Sequence, residues 1–404
     1  MLCVLLAVSI RHKMTTSRQA RALLAGLRAR QSAMVGLLGR FVRAESPTDV
    51  KTAVDRFGRL VAAEWRRRGA RATILRQRRA GNHVQVVWPA PKARRKSGQI
   101  LVLGHMDTVY GLGTLRAMPF RQARGRAFGP GVFDMKGGLV IALFALEALQ
   151  ATGCVPSRRL VFLWTSDEET GSATSRAIIE KAALRSDAVL VLEPAGGLDG
   201  RLKTRRRGVG TAELIVTGRA AHAGLNPQSG INAVQEMALQ AARIARISDP
   251  RRGITVSPTL AAGGTRSNVI PASARLVLDL RAERQSDMRR IERQLKSLRP
   301  VLPGAKVEVR GGFSRPPLER EASAALFARA QEAARALGLP LRETFAGGGS
   351  DGNFTAALGV PTLDGLGAVG EAPHSPNENV ILNALPERAA LLAVLLDALT
   401  SPEF

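Results

Sequence analysis

Three short apolar runs in this chain each stop at residues able to hold a metal ion or a proton. Residues 101–104 lead into His105 and Asp107, residues 160–164 into Asp167, Glu168 and Glu169, and residues 188–192 into Glu193. Short apolar runs rich in branched side chains and bounded by polar turns read as buried strands. In open α/β sheets, sites lie beyond the carboxyl ends of the strands. The pattern therefore predicts an α/β fold whose strand ends converge on one site. His105 and Asp107 are two apart and share a side of such a strand, and a carboxylate at the second ring nitrogen is a common way to present a ligating His. The three consecutive acids repel one another unless solvent or a cation offsets them. Beside a cation, adjacent carboxylates can divide the labour, one ligating and one free as a base.

A chain of 404 residues exceeds one ordinary core, so two domains are expected. Helices are predicted over 17–43, 50–68 and 139–149, with Ser46, Pro47, Thr48 and Asp49 breaking the first and capping the second. After Gly208 the character changes. Strands at 211–217, 254–262, 275–281 and 305–310 alternate with helices at 231–247 and 286–298, an order that suits an α+β sandwich. This places an inserted domain at 209–315 between the two parts of a catalytic domain, 14–208 and 316–404. Residues 1–13 read as a disordered tail or a start placed too early. Their apolar run, 2–10, is far below the roughly 20 residues of a membrane span, and its positive charges follow it rather than precede it, unlike a secretory signal. The expected location is the cytoplasm, with the periplasm or secretion as the alternative if that run is a signal.

Two cysteines, Cys3 and Cys154, exclude a disulfide framework and zinc-finger spacing, so any zinc must use His and carboxylates. The net charge is +26, with basic runs at 66–68, 94–96 and 205–207. Aromatic residues are only 4% and no RNA-binding signature occurs, so the charge reads as solvated basic faces rather than a nucleic-acid surface. Such a field would attract a small anionic substrate.

Of the five His, His12 lies in the tail and His83 reads as a strand surface residue. His105, His222 and His374 each lie in a Gly- or Pro-rich turn, where loops carry sites. Asp134 closes a Gly-rich segment just before an apolar helix. If His105, Asp134, Glu169, Glu193 and His374 converge, two His and three carboxylates suit two divalent metal ions, with Asp134 shared between them. Zn2+ is the first choice, and Co2+ or Mn2+ the alternatives. Two such ions polarise a carbonyl and activate water. Glu168, next to a ligand, would be the general base, and Asp107 would orient His105.

His105-Met106-Asp107-Thr108-Val109, Gly129-Pro130-Gly131 with Asp134-Met135-Lys136-Gly137-Gly138, Asp167 to Ser172, Ala221-His222-Ala223-Gly224 and Gly347 to Gly352 occur in order. Together they resemble the zinc glutamate carboxypeptidase family, a branch of the aminoacylase, carboxypeptidase and deacylase group of peptidase family M20. The resemblance implies a zinc-peptidase-type mixed sheet flanked by helices and a ferredoxin-like inserted dimerisation or lid domain, hence a homodimer. It implies the metal and base assignments above. It also implies that His222 holds the substrate or its oxyanion, that Asn268 and Arg281 meet the substrate carboxylate, and that Gly348 belongs to the substrate-binding loop. Met135 departs from the family, which often has a second acid near the bridging Asp, and Glu193 stands where many relatives have Asp. The implied activity is cleavage of an amide bond beside a free carboxylate, releasing a C-terminal Glu-like residue. The alternatives are an N-acyl amino acid deacylase of acetylornithine or succinyl-diaminopimelate type and, from another class, an inactive basic binding protein. The expected partners are a small anionic peptide or N-acyl amino acid and a second copy of the chain, without nucleic acid or membrane.

Overall fold

The computed structural model describes residues 17–88, 98–153 and 156–400. The readings made for 1–13, for the basic run at 94–96 and for Cys154 fall outside them. The chain divides into two compact units. One takes the chain up to Thr204, Arg320–Phe345 and everything from Phe354 on; the other takes Arg205–Glu319 and Ala346–Asn353.

The first unit is built on a six-stranded mixed sheet. Its spatial order is Arg71–Leu75, His83–Trp88, Arg159–Thr165, Gln99–His105, Ala188–Val191 and Thr362–Leu363. Gln99–His105 runs parallel to both its neighbours, Arg159–Thr165 and Ala188–Val191. Three adjacent parallel strands therefore end on the same edge. Gln99–His105 is buried along its whole length, as strands covered on both faces are. The helix Gly137–Ala151 is apolar on nearly all sides, which marks a helix enclosed by others; Ala384–Thr400 is its main helical partner. Gly138 is required there, since a Cβ would stand 2.4 Å from the Leu192 carbonyl oxygen.

Two local expectations are corrected. The helix read over 17–43 is two helices, Ser17–Ala29 and Gln31–Arg43. Arg30 breaks it, turning its guanidinium onto Glu147 and over the Phe144 ring at 4.8 Å. The helix Lys51–Arg67 is capped by Val50 without a side-chain bond, because Ser46 and Thr48 are committed elsewhere: Ser46 Oγ donates to the Met106 carbonyl and Thr48 Oγ1 to Asp107.

A smaller antiparallel sheet of this unit has the order Gly370–Glu371, Asn379–Ile381, Arg126–Phe128, Arg121–Ala123. It pairs the strand that leads into Asp134 with the strand that leaves His374 (Asn379 opposite Phe128).

The second unit has a four-stranded antiparallel sheet in the order Thr255–Gly263, Ser273–Ala282, Gly208–Thr217, Lys306–Arg315. With helices Ala233–Ala245 and Gln285–Lys296 the chain order is β-α-β-β-α-β, a ferredoxin-like topology. Burial alternates along Gly208–Thr217 and Ser273–Ala282, as expected of a sheet with one covered face. Leu214, Leu276, Leu278 and Leu280 pack there with Ile244, Ile291 and Leu295 of the helices. The segment Ala346–Asn353 is tied to this unit by Arg206, which donates to the Gly348 and Gly349 carbonyls, and by the buried Arg315–Asp351 pair at 2.8 Å. Among the described residues, no helix is long and apolar enough to cross a membrane.

Candidate metal centre

Three of the side chains singled out by the sequence stand at the ends of the three parallel strands. His105 is the last residue of Gln99–His105. Glu169 lies in the short turn Glu168–Thr170 that follows Arg159–Thr165, and Glu193 follows Ala188–Val191. The other two come from the small sheet. Asp134 sits between Arg126–Phe128 and the helix Gly137–Ala151, while His374 sits in the loop joining Gly370–Glu371 to Asn379–Ile381. Gly131 makes the turn toward Asp134 with φ of +70°, and a Cβ on it would stand 2.6 Å from Thr108 Cγ2.

All five converge, in two groups that share Asp134: His105, Asp134 and Glu193, and Asp134, Glu169 and His374. His105 Nε2 lies 3.1 Å from Asp134 Oδ1 and 3.6 Å from Glu193 Oε1. His374 Nε2 lies 3.4 Å from both Asp134 Oδ2 and Glu169 Oε2. The two oxygens of Asp134 thus face different groups. Glu169 Oε1 is buried and has no hydrogen-bond partner, a costly state for a carboxylate oxygen unless a cation meets it.

The charge balance points the same way. Burial opposes protonation of His105, but Asp107 and Asp134 outweigh it and raise the pKa well above its ordinary value. Hydrogen bonds to Asp134 and Glu169 raise His374 to about 10. Burial would raise Asp134, yet its bonds to His105 and His374 hold it well below the usual carboxylate range. The cluster calls for positive charge, and the protons on the two imidazoles occupy positions that suit divalent cations. His nitrogens and carboxylate oxygens in this proportion fit zinc and its neighbours among the first-row metals.

Asp107 is fully buried beneath the centre. His105 Nδ1 is nearest the Asp107 backbone carbonyl, at 3.0 Å, with the carboxylate at 3.5 Å. That carboxylate accepts the Thr48 hydroxyl at 2.8 Å and the backbone N–H groups of Glu168 and Glu169 at 3.4 and 3.2 Å. Its contacts extend from the His105 side to the acidic turn. Glu168 is half-buried at the head of that turn and belongs to neither ligand group.

His83 corrects the sequence reading. It is buried rather than on the surface, because its strand lies between two others and its first side chain points inward. Its Nδ1 is 2.9 Å from Ser166 Oγ and its Nε2 3.2 Å from Thr174 Oγ1. Thr174 in turn donates its N–H and hydroxyl to Asp167, at 2.6 and 2.7 Å. The acidic turn is held from behind by this chain of polar groups. Reading the residues one at a time misses Thr48, Thr174 and Glu378, whose roles come from distant segments.

His222, Asn268, Arg281 and Gly348 all lie in the second unit. The strand Ala221–His222 pairs with Val269–Ile270, and the Ala223 N–H donates to the Asn268 carbonyl, so His222 and Asn268 are neighbours. His222 Nδ1 accepts the N–H groups of Gly224 and Leu225, both at 3.1 Å. That places the imidazole proton on Nε2, leaving an exposed N–H donor. Arg281 lies on a different strand and makes a fork with Asp279 (Nε–Oδ1 2.9 Å, Nη2–Oδ2 2.8 Å). Gly348 is exposed in the segment that Arg206 secures.

The model for peptidase family M20/M25/M40 matches residues 101–398. This chain belongs to that family. The M20 chain is a metal-dependent hydrolase. It is 33% identical to Carboxypeptidase G2 of Pseudomonas sp. (strain RS-16) over 376 residues, 91% of this chain and 89% of that protein. It is 29% identical to succinyl-diaminopimelate desuccinylase of Verminephrobacter eiseniae over 300 residues, 70% of this chain and 74% of that protein. Among solved structures, the aminopeptidase PepT of Bacillus cereus superposes with a TM-score of 0.74 at 20% identity, covering 92% of this chain and 99% of that one. At that identity the likeness speaks for the fold alone.

Proposed function

We propose that this M20 chain is a two-metal hydrolase that cleaves an amide bond beside a free carboxylate and releases a C-terminal glutamate-like residue. The observation that carries the two-metal reading is the division of Asp134, with one oxygen toward His105 and Glu193 and the other toward Glu169 and His374. Those five residues would hold the ions, Zn2+ before Co2+ or Mn2+. When bound, two divalent cations supply Lewis-acid polarisation of the scissile carbonyl and lower the pKa of a water. Glu168, outside both groups and with its N–H held by Asp107, takes the proton of the attacking water and returns it to the leaving amine. His105 is held in register by its contact with Asp107. His222 offers Nε2–H to the developing oxyanion, and Asn268, Arg281 and Gly348 bind the remainder of the substrate. The Arg281 fork suits a carboxylate, and Asp279 keeps it extended until one arrives. The likeness to Carboxypeptidase G2 favours the exopeptidase reading.

The second reading, an N-acyl amino acid deacylase, is favoured by the desuccinylase relative. Zinc-loaded protein assayed on N-acyl-glutamates, folate-like glutamyl amides, dipeptides and N-succinyl amino acids separates the two. Turnover led by glutamyl amides supports the carboxypeptidase; turnover confined to N-succinyl or N-acetyl amino acids replaces it with the deacylase. The homodimer through the inserted unit is also a proposal. It is supported by the edge strand Thr255–Gly263, exposed from Pro258 onward with Leu260 at 67%, and sedimentation at a single molecular weight of one chain would remove it.

A further inference from the structure

The loop that carries His374 ends at Glu378, whose side chain is fully buried. A buried carboxylate costs several kcal/mol unless its oxygens are met, and here both are. Oε1 accepts the N–H groups of Phe133 and Asp134, at 2.8 and 2.9 Å. Oε2 accepts the N–H of Gly131 at 3.3 Å and the hydroxyl of Tyr110 at 2.5 Å. That hydroxyl also lies 3.0 Å from the Ser375 carbonyl, to which Glu378 donates its own N–H. One carboxylate thus joins three ligand-bearing segments: the Asp134 turn, the His374 loop and the stretch after His105 and Asp107.

We propose that Glu378 is a positioning residue for the metal centre. By gripping the N–H of Asp134 and of the two residues that shape its turn, it sets the direction of the one carboxylate shared by both ligand groups. It does not touch the reacting atoms. Its loss should weaken both groups together, unlike loss of a ligand that belongs to one. This rests on the two-metal reading proposed above.

The test is zinc titration of the dialysed full chain against a chelator of known affinity, for wild type, Glu378→Gln and Glu371→Gln. Glu371 is a control on the same hairpin, where it pairs at the surface with Arg126. Glu378→Gln is expected to lower zinc affinity at both groups by about 10- to 100-fold. It should lower kcat on an N-acyl-glutamate by a similar factor while KM stays within about threefold. Glu371→Gln should match wild type. A folded Glu378→Gln with wild-type zinc affinity and kcat, altered only in thermal midpoint, overturns the proposal and leaves the two-metal reading intact. Wild type that takes up fewer than two zinc ions overturns that reading and the proposal with it. If Glu378→Gln does not fold, Tyr110→Phe reads the same linkage: a parallel loss at both groups of less than about tenfold supports it, and no change in zinc affinity overturns it.

Discussion

The two candidate ligand groups share a carboxylate and each add one His and one Glu, and they differ in how the His is held. His105 is a strand terminus with 2% of its side chain exposed, fixed at Nδ1 by Asp107 and at Nε2 by Asp134. The unshared carboxylates, Glu193 and Glu169, are alike, with 10% and 8% of their side chains exposed. His374 has 47% of its side chain exposed and sits in a loop with φ of +60°, two residues after Ala372 at +58°. Non-Gly residues pay for that backbone region, so the loop is held in place by its contacts rather than by local preference. One group is built into the sheet edge; the other is completed by a loop that solvent reaches. Equal ligand chemistry therefore need not give equal affinity, and the open group should exchange its ion first.

The strongest way to break this comparison is Asp134→Asn, because the two groups have only that side chain in common. Both ions should be lost and activity should fall more than about 10⁴-fold, beyond what loss of a base removes; metal analysis showing one ion retained would mean the groups are independent. Glu168→Ala comes next. It should cost about 10²- to 10⁴-fold in kcat with both ions retained, and full activity would remove Glu168 as the base. Chelation then sharpens the contrast. Zinc should leave in two phases separated by about tenfold or more, the fast phase abolished by Glu169→Gln and the slow one by Glu193→Gln. A single phase would make the two groups equivalent.

Protons provide a subtler probe. With His374 raised to about 10 by Asp134 and Glu169, the metal-stripped chain carries a proton there at neutral pH. Zinc must displace it, so affinity at the open group should rise about tenfold per pH unit between 7 and 10. Stability of the stripped protein moves the opposite way. The contribution of protonated His374 is complete below its ordinary value of 6.5 and is lost as pH rises through about 10. Thermal midpoints that rise over that window would contradict the assignment. The smallest effect is expected at Thr48→Val, which removes one hydroxyl from the Asp107 carboxylate and should cost about 1–2 kcal/mol in urea unfolding.

The convergence of His105, Glu169 and Glu193 is legible in the sequence because candidate metal-binding side chains at strand ends leave a plain pattern: an apolar run, then the polar residue. The β-α-β-β-α-β order of the second unit is legible for a different reason, the succession of strand-like and helix-like segments along the chain. What the sequence hid is the support. Glu378 acts on backbone N–H groups of Gly131, Phe133 and Asp134, and backbone donors carry no mark in the residue letters. Thr48 and Ser46 looked like helix-capping residues, and local chemistry would serve that role equally well; only the folded chain brings Asp107 and Met106 to them. His83 carries no sequence mark of burial, because a polar residue beside Asn82 and Gln85 looks exposed until its strand is known to lie between two others.

His105, Asp134, Glu169 and Glu193 all precede the insertion, whereas His374, Glu378 and the enclosing helix Ala384–Thr400 follow it. A ribosome emits the chain from the N-terminus, and domains fold largely as they emerge. Four of the five candidate ligands are therefore synthesised early, but Asp134 meets the carboxylate that holds its N–H, and the helix Gly137–Ala151 its main helical partner, only after the second unit has been translated. A chain that stops short of residue 374 lacks both the His of the open group and the Glu378 support of the Asp134 shared by the two, so neither group is finished until the chain has returned to the first unit.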